Sequence, residues 1–561
     1  MRSGGMSLAA LVCVRDALWR ARSLRPLRLV RLLAEAASDR LDMRTGTPVL
    51  RTTLDRPIEV EAERWRWLSL AMPADLLIAA AAAREGVREP GADAVILAVP
   101  LLERILDDDF AEVHLHAGAA ISFNWLWTNL MTRVAGDEPA AAGLGRAGTV
   151  PYGSARSYLR WLAAAALARL LLAAYLWRVE LGTAADFSTW LGGRIMAARE
   201  DRRSLRAALA ALALGRGPQP APVVRGVLRR LSGSPGPDGP NTMDEVRQRD
   251  PLGLWLGRGA ALPETRFLAR AIRHMLDHPG DSFFERVFWQ YIRIRGRTFR
   301  HVTQEPGTAG LDWFHRHFRR IAPLRAGLGW GARVHAAARI EATGARLASI
   351  EVRTAPSANW VDVRDAVRTV RDAPMDGAPE RGIVMHFTKE ARHPDTRRPH
   401  GDPDANRAHG SGRFGAYAWE RMRQAIAIGR AVRSDPTLLR TLRGIDVCTL
   451  ELEVPTWVVR RVFDEVRSTA NAVASIAAAQ GRSGIKPIRT TVHAGEDFRA
   501  LGEGVRRVHE AVEYGLLHDG DRVGHAVALG IDVERWARCT PVVRLSPITR
   551  NRVNLDVLAG R

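Results

Sequence analysis

The sequence predicts an α/β fold: a (β/α)8-type barrel that lacks its eighth strand, carrying a large helical N-terminal region and a helical insertion. Three observations lead there. Beyond residue 340, short β-branched runs alternate with helical stretches, the rhythm of a parallel sheet or barrel. One more such run, "AEVHLHAG" (111–118), stands well before the others. Several of the runs end in histidine followed by a turn, and in a barrel the C-terminal strand ends gather at one mouth.

Residues 1–105 form the N-terminal region, helical in pattern through "ADLLIAAAAAREG" and "AVILAVPLLERILDDD", where alanine and leucine abound and breakers are few. The barrel is expected over 106–561. The helical insertion, at about 120–340, falls between its first and second strands. Within it, "WLAAAALARLLLAAYLW" (161–177) is shorter than the ~20 apolar residues of a membrane span and carries Arg169 at its middle, which predicts a buried helix. The Pro/Gly-rich stretch 215–241 reads as an exposed loop. In "SFFERVFWQYIRIRGRTFRHV" (282–302) aromatics at helical spacing are expected to fill a core while arginines cover the outside. The later strands are "ASIEVRTA" (348–355), "GIVMHFT" (382–388), "GIDVCTLELE" (444–453), "IRTTVHAGE" (488–496), "DRVGHAVA" (521–528) and "TPVVRLSP" (540–547). With 111–118 the count is seven, one short of an eight-stranded barrel.

Composition narrows the class. A hydrophobic fraction of 46% with 25% charged residues excludes a disordered chain. The net charge of +21 suits an acidic partner, but the basic residues are arginines throughout except Lys389 and Lys486, and they are spread along the chain. That distribution resembles GC-rich codon usage more than a nucleic-acid tail, so nucleic-acid binding is not favoured. Cys13, Cys448 and Cys539 are far apart, in no disulfide or zinc-ribbon spacing, which fits a reducing cytoplasm. The N-terminus has no secretory cleavage pattern, and no membrane association is expected.

On a strand, side chains alternate, so His114 and His116 share one face while Leu115 takes the other. A second pair, His315 and His317, lies in the helical stretch "LDWFHRHFRR", where positions two apart diverge, and is read as filling. "TTVHAGED" places His493 at a strand end with Glu496 three residues on, and "DRVGHAVALG" places His525 similarly. Imidazoles converging at a barrel mouth suit Zn²⁺, whose hydrolytic sites keep a position for water; a carboxylic acid and a further histidine supply proton transfers.

The order H-x-H on the first strand, H-A-G-E on the fifth and G-H on the sixth resembles the adenosine deaminase family of the amidohydrolase superfamily, over roughly residues 105–547. "HAGEDFRALGEGVRRVHEAVEYGLLHDGDRVGHAVALGID" and "FWQYIRIRG" are similar to the divergent adenosine deaminase-like proteins of bacterial antiphage RADAR-type systems. The resemblance implies a metal-dependent hydrolase barrel in which His114, His116 and His493 ligate zinc. It implies that Glu496 protonates the purine ring, that His525 orients and deprotonates the attacking water, and that Gly118 and Gly495 lie against substrate. The implied substrate is adenosine or an adenine nucleotide, and the implied setting an oligomer or defence complex. The family's eighth-strand aspartate ligand has no counterpart, since Asp556 sits in the unrelated context "VNLDVLAG". The alternative is therefore a catalytically impaired, truncated deaminase-like scaffold or an RNA-binding subunit.

Overall fold

The computed structural model describes residues 12–17, 25–52, 57–88, 94–118, 123–133, 150–180, 186–192, 199–217, 263–303, 310–324, 346–373, 379–389, 414–449, 451–452 and 454–539, with a few single positions between them. The chain divides into two compact units. The first comprises Met1–Asp109, Gly118–Gly329 and Ile340–Arg346; the second comprises Phe110–Ala117, Trp330–Arg339 and Leu347–Arg561. The N-terminal region and the insertion thus share one body.

The first unit is mainly helical. The alanine run Ala79–Ala83 in the helix Ala74–Glu85 is fully buried. Its small side chains let the helices Pro26–Ser38 and Pro263–Asp277 pack closely against it. The helix Ala155–Glu180 is long and apolar enough to cross a membrane, yet 83% of that stretch is buried inside the protein. It is a core helix. Arg169 at its centre is fully buried, donates to Glu264 at 3.0 Å and lies 3.9 Å over the Phe267 ring, which together compensate its charge.

Two sequence expectations for this unit need correction. The helix Ser282–Thr303 buries its aromatics Phe284, Phe288, Trp289 and Tyr291 as expected, but Arg293 and Arg295 are buried with them. Arg295 is accommodated because it pairs with Asp75 and faces the Phe123 ring at 4.8 Å. The N-terminal region also contains a hairpin, β1 (Leu41–Arg44) and β2 (Thr47–Leu50). Its turn residues Thr45 and Gly46 both have positive φ, 49° and 84°, the backbone that a tight two-residue hairpin requires. The pair His315 and His317 lies on the helix Gly310–Leu324, with the His317 ring 3.1 Å from the Val302 carbonyl. Most of the Pro/Gly-rich stretch, from 218 onward, lies outside the described residues.

The second unit holds a six-stranded sheet in the sequential order β3 (Asp109–Leu115), β4 (Arg346–Thr354), β5 (Glu380–Lys389), β6 (Leu442–Thr449), β7 (Arg489–Ala494) and β8 (Arg522–His525). Every pairing from β4 to β8 is parallel. The helices Trp360–Asp372, Gly415–Ser434, Arg460–Ala479 and Leu501–Glu513 connect successive strands. Trp360–Asp372, Arg460–Ala479 and Leu501–Glu513 are amphipathic: Val462, Phe463, Val466, Ala470, Ala474 and Ala477 form the buried stripe of Arg460–Ala479. β5 and β6 are buried on both faces, whereas β3 and β8, at the two ends of the order, are largely exposed.

The sheet is curled. Laid flat, β3 and β8 would stand five spacings of ~4.8 Å apart, roughly 24 Å. Instead the rings of His114 on β3 and His525 on β8 are 5.1 Å apart, and Arg522 of β8 pairs with Glu351 of β4 at 2.6 Å. Six of the seven expected strands are present. The seventh, 540–547, and Asp556 lie outside the described residues.

Candidate metal and catalytic site

All the expected site histidines sit at C-terminal strand ends of the curled sheet. His114 is the penultimate residue of β3 and His116 follows its end, with their rings 4.7 Å apart; Leu115 between them points away and is buried. His493 occupies the penultimate position of β7. Curling then brings the imidazoles together: His114 Nε2 is 2.9 Å from His116 Nε2 and 3.2 Å from His493 Nε2. A single proton on His114 Nε2 can make a well-aligned hydrogen bond to only one of these two neighbours. A cation among the three nitrogens would instead take up a lone pair from each. Nitrogens bound tetrahedrally at ~2.0–2.1 Å would be spaced ~3.3 Å from one another, close to the observed separations.

The charge states favour this reading. Burial, and then the neighbouring histidines and Arg353, push His114 down to about 2 and His116 down to about 3, so both rings are neutral with lone pairs available. His493 behaves differently. Burial pulls its pKa down, but Asp446 Oδ1, 3.0 Å from Nδ1, outweighs burial and raises it. A carboxylate only accepts, so Nδ1–H is the donor; in the neutral ring the Nε2 lone pair then faces His114, and a bound cation would take the place of the proton that the raised pKa favours there. This is the carboxylate–histidine arrangement that orients a metal ligand and strengthens its basicity.

Beside these three lies a second group. Glu496 Oε2 is 3.3 Å from His525 Nε2, and the His525 ring is 4.8 Å from that of His493. Burial lifts Glu496 to about 7 against the pull of His493, so it can hold a proton near neutrality. Burial lowers His525, leaving it a neutral proton acceptor. His525 and Ala526 both adopt left-handed backbone, φ 65° and 48°. Strain of this kind collects at functional positions, and here the Ala528 N–H bond to the Gly495 carbonyl at 2.9 Å secures the turn. Gly495 is buried with φ 73°. A Cβ there would stand 2.8 Å from Val508 Cγ2 and 3.1 Å from the Gly504 carbonyl oxygen, so only glycine fits. Gly118 lies in the turn two residues beyond His116.

Residues absent from the sequence expectation complete the site. Asp446, fully buried on β6, accepts from His493, from His386 at 3.1 Å and from Arg353 at 2.9 Å. These contacts hold its pKa far below the usual carboxylate range despite burial. Arg353 also donates to the Val113 carbonyl at 2.7 Å, tying β4 to the strand that carries His114. Glu451, just beyond β6, accepts from three successive backbone N–H groups, those of Gly495, Glu496 and Asp497. His386 carried the same signal as the expected histidines, a histidine near the end of an apolar run. Asp446 and Arg353 showed as charges inside apolar strands, which a buried network requires.

No protein-family model matches the chain, and no curated protein matches it in sequence.

Proposed function

We propose that the chain is a zinc-dependent hydrolase that deaminates adenosine or an adenine nucleotide to the inosine form. The observation that supports this best is the convergence of three histidine Nε2 atoms beside a carboxylic acid with a pKa of about 7. Metal-assisted hydrolysis can use both parts, the ion to activate water and the acid to supply a proton. His114, His116 and His493 would hold the ion. Three histidines suffice for a catalytic zinc, so the family's aspartate is not required to fill the site. Bound zinc supplies Lewis acidity and lowers the pKa of a water toward ~7.

The chain's own groups do the rest. Neutral His525 takes a proton from the attacking water and orients it. Protonated Glu496 donates to the purine ring nitrogen, which makes the adjacent amino-bearing carbon electrophilic; the water oxygen bonds to that carbon, the proton held by His525 passes to the amino group, which leaves as ammonia, and the remaining hydroxyl proton returns to Glu496 as the carbonyl forms. Asp446 keeps His493 in the ligating tautomer. The choice of adenine as the base and a role in antiphage defence rest on the motif resemblance alone, whereas the reading of the sheet as a barrel rests also on the rhythm of strands and helices, and the cytoplasmic location on the spacing of the cysteines.

The test is inosine and ammonia formation from adenosine and AMP by the purified chain, with metal content measured on the same preparation. His493→Ala is expected to lose both metal and turnover. Glu496→Gln is expected to keep the metal and lose turnover by ~10²–10⁴-fold. Unchanged turnover in either variant rules the mechanism out. A chain that releases no ammonia under any metal loading would instead be the non-catalytic scaffold.

A further inference from the structure

Glu496 stands in a short turn after β7, and that turn is gripped from beneath. Glu451 is 1% exposed, and both of its carboxylate oxygens are used: Oε1 accepts from Gly495 N–H at 2.8 Å, and Oε2 accepts from Glu496 N–H and Asp497 N–H, each at 3.2 Å. Successive N–H groups turned toward one point form an anion-binding nest, and the left-handed Gly495 makes that turn possible. Here the anion is the protein's own side chain.

The approach of Glu451 is built with equal care. Thr449, two residues earlier, has φ 76°, a conformation unfavourable for a β-branched residue, and its hydroxyl donates to the Lys389 carbonyl at 2.5 Å. Lys389 itself is 1% exposed, and its ammonium finds no hydrogen-bond partner among the described residues. Burial lowers it to about 8, and the Glu451 carboxylate is the chief charge opposing that fall. Nearly every other basic residue in this chain is arginine. Guanidinium carries five donors that this closed space would leave unpaired, whereas a single ammonium supplies charge with fewer unmet bonds.

We propose that Glu451 is the positioning residue for Glu496, fixing the turn Gly495–Asp497 that carries it. The catalytic part of this inference rests on the reading of Glu496 as proton donor; the clamp itself does not.

Two measurements on the full-length chain test it: amide hydrogen exchange at residues 495–497, and steady-state kinetics with adenosine alongside zinc content. Glu451→Gln keeps one acceptor oxygen but turns the other into an NH2 donor facing the same N–H groups. Exchange at 495–497 is expected to accelerate at least tenfold, and kcat to fall about 100-fold with KM and zinc content little changed, as a displacement of about 1 Å would produce. Should Glu451→Gln not fold, Glu451→Asp keeps the charge but shortens the reach, and both readouts should move in the same direction. A Glu451 variant in which exchange or kcat stays at the wild-type value overturns the positioning role. If the wild-type chain deaminates nothing, the proposed function fails on that result, and exchange alone decides the clamp.

Discussion

In the proposed metal site, Asp446 fixes the orientation of His493 and balances the charges around it. Its two oxygens serve His493, His386 and Arg353 at once. Asp446→Asn would keep the shape but lets an amide donate where a carboxylate only accepts, so His493 can take the other tautomer and turn a protonated Nε2 toward His114. Zinc affinity is expected to fall by ~10–100-fold, as seen when partners of metal ligands are lost. Competition with a chromophoric chelator measures this directly, and an unaltered affinity would show that Asp446 serves only to balance Arg353. His114, His116, His493, Glu496 and His525 were legible in the sequence because each sits at a strand end next to a turn. Asp446 was not: an acid inside "GIDVC" carries no local mark of its partners, which come from β4, β5 and β7.

At the level of elements, the register of β6 against β7 sets these contacts, pairing Gly444 with Arg489 and Asp446 with Thr491. A Cβ on Gly444 would lie 2.5 Å from the Arg489 carbonyl oxygen, a backbone atom that cannot swing aside. Gly444→Ala is therefore expected to destabilise the fold by ~1–3 kcal/mol, the usual range for overpacking, and to weaken zinc binding through the displaced Asp446. Gly502, in the helix Leu501–Glu513, is the contrast: nothing lies within 4 Å of its missing Cβ. Gly502→Ala should be neutral or stabilising by up to ~1 kcal/mol. Thermal and urea unfolding of the two variants side by side test the pair, and equal effects would refute the assigned cause. The strands were readable from β-branched runs, though their ends were not. The expected strand 444–453 stops at Thr449, where positive φ turns the chain and carries Glu451 under the next strand's turn. The hairpin β1–β2 escaped notice because four-residue strands between helices leave almost no periodic signal.

Over the whole molecule, binding to the native state alone should make stability depend on metal. Zinc at one hundred times its dissociation constant is expected to add ~2.7 kcal/mol, seen as a rise in melting temperature that chelator reverses and that His114→Ala abolishes. A melting curve indifferent to zinc would count against the site. The sequence by itself determined the alternation of strands and helices, the buried character of the helix around Arg169, and the identity of the residues at the strand ends. These follow from side-chain periodicity and local composition, which act over a few residues. Only the tertiary structure decided that residues nearly four hundred positions apart, His114 and His493, meet at 3.2 Å. It also decided that Arg293 and Arg295 are core residues and that Glu451 lies beneath Glu496. The physical reason is the curl of the sheet and the closing of polar networks. Burying a charge is tolerable only when its partners arrive from other elements, and no stretch of sequence records which elements those will be.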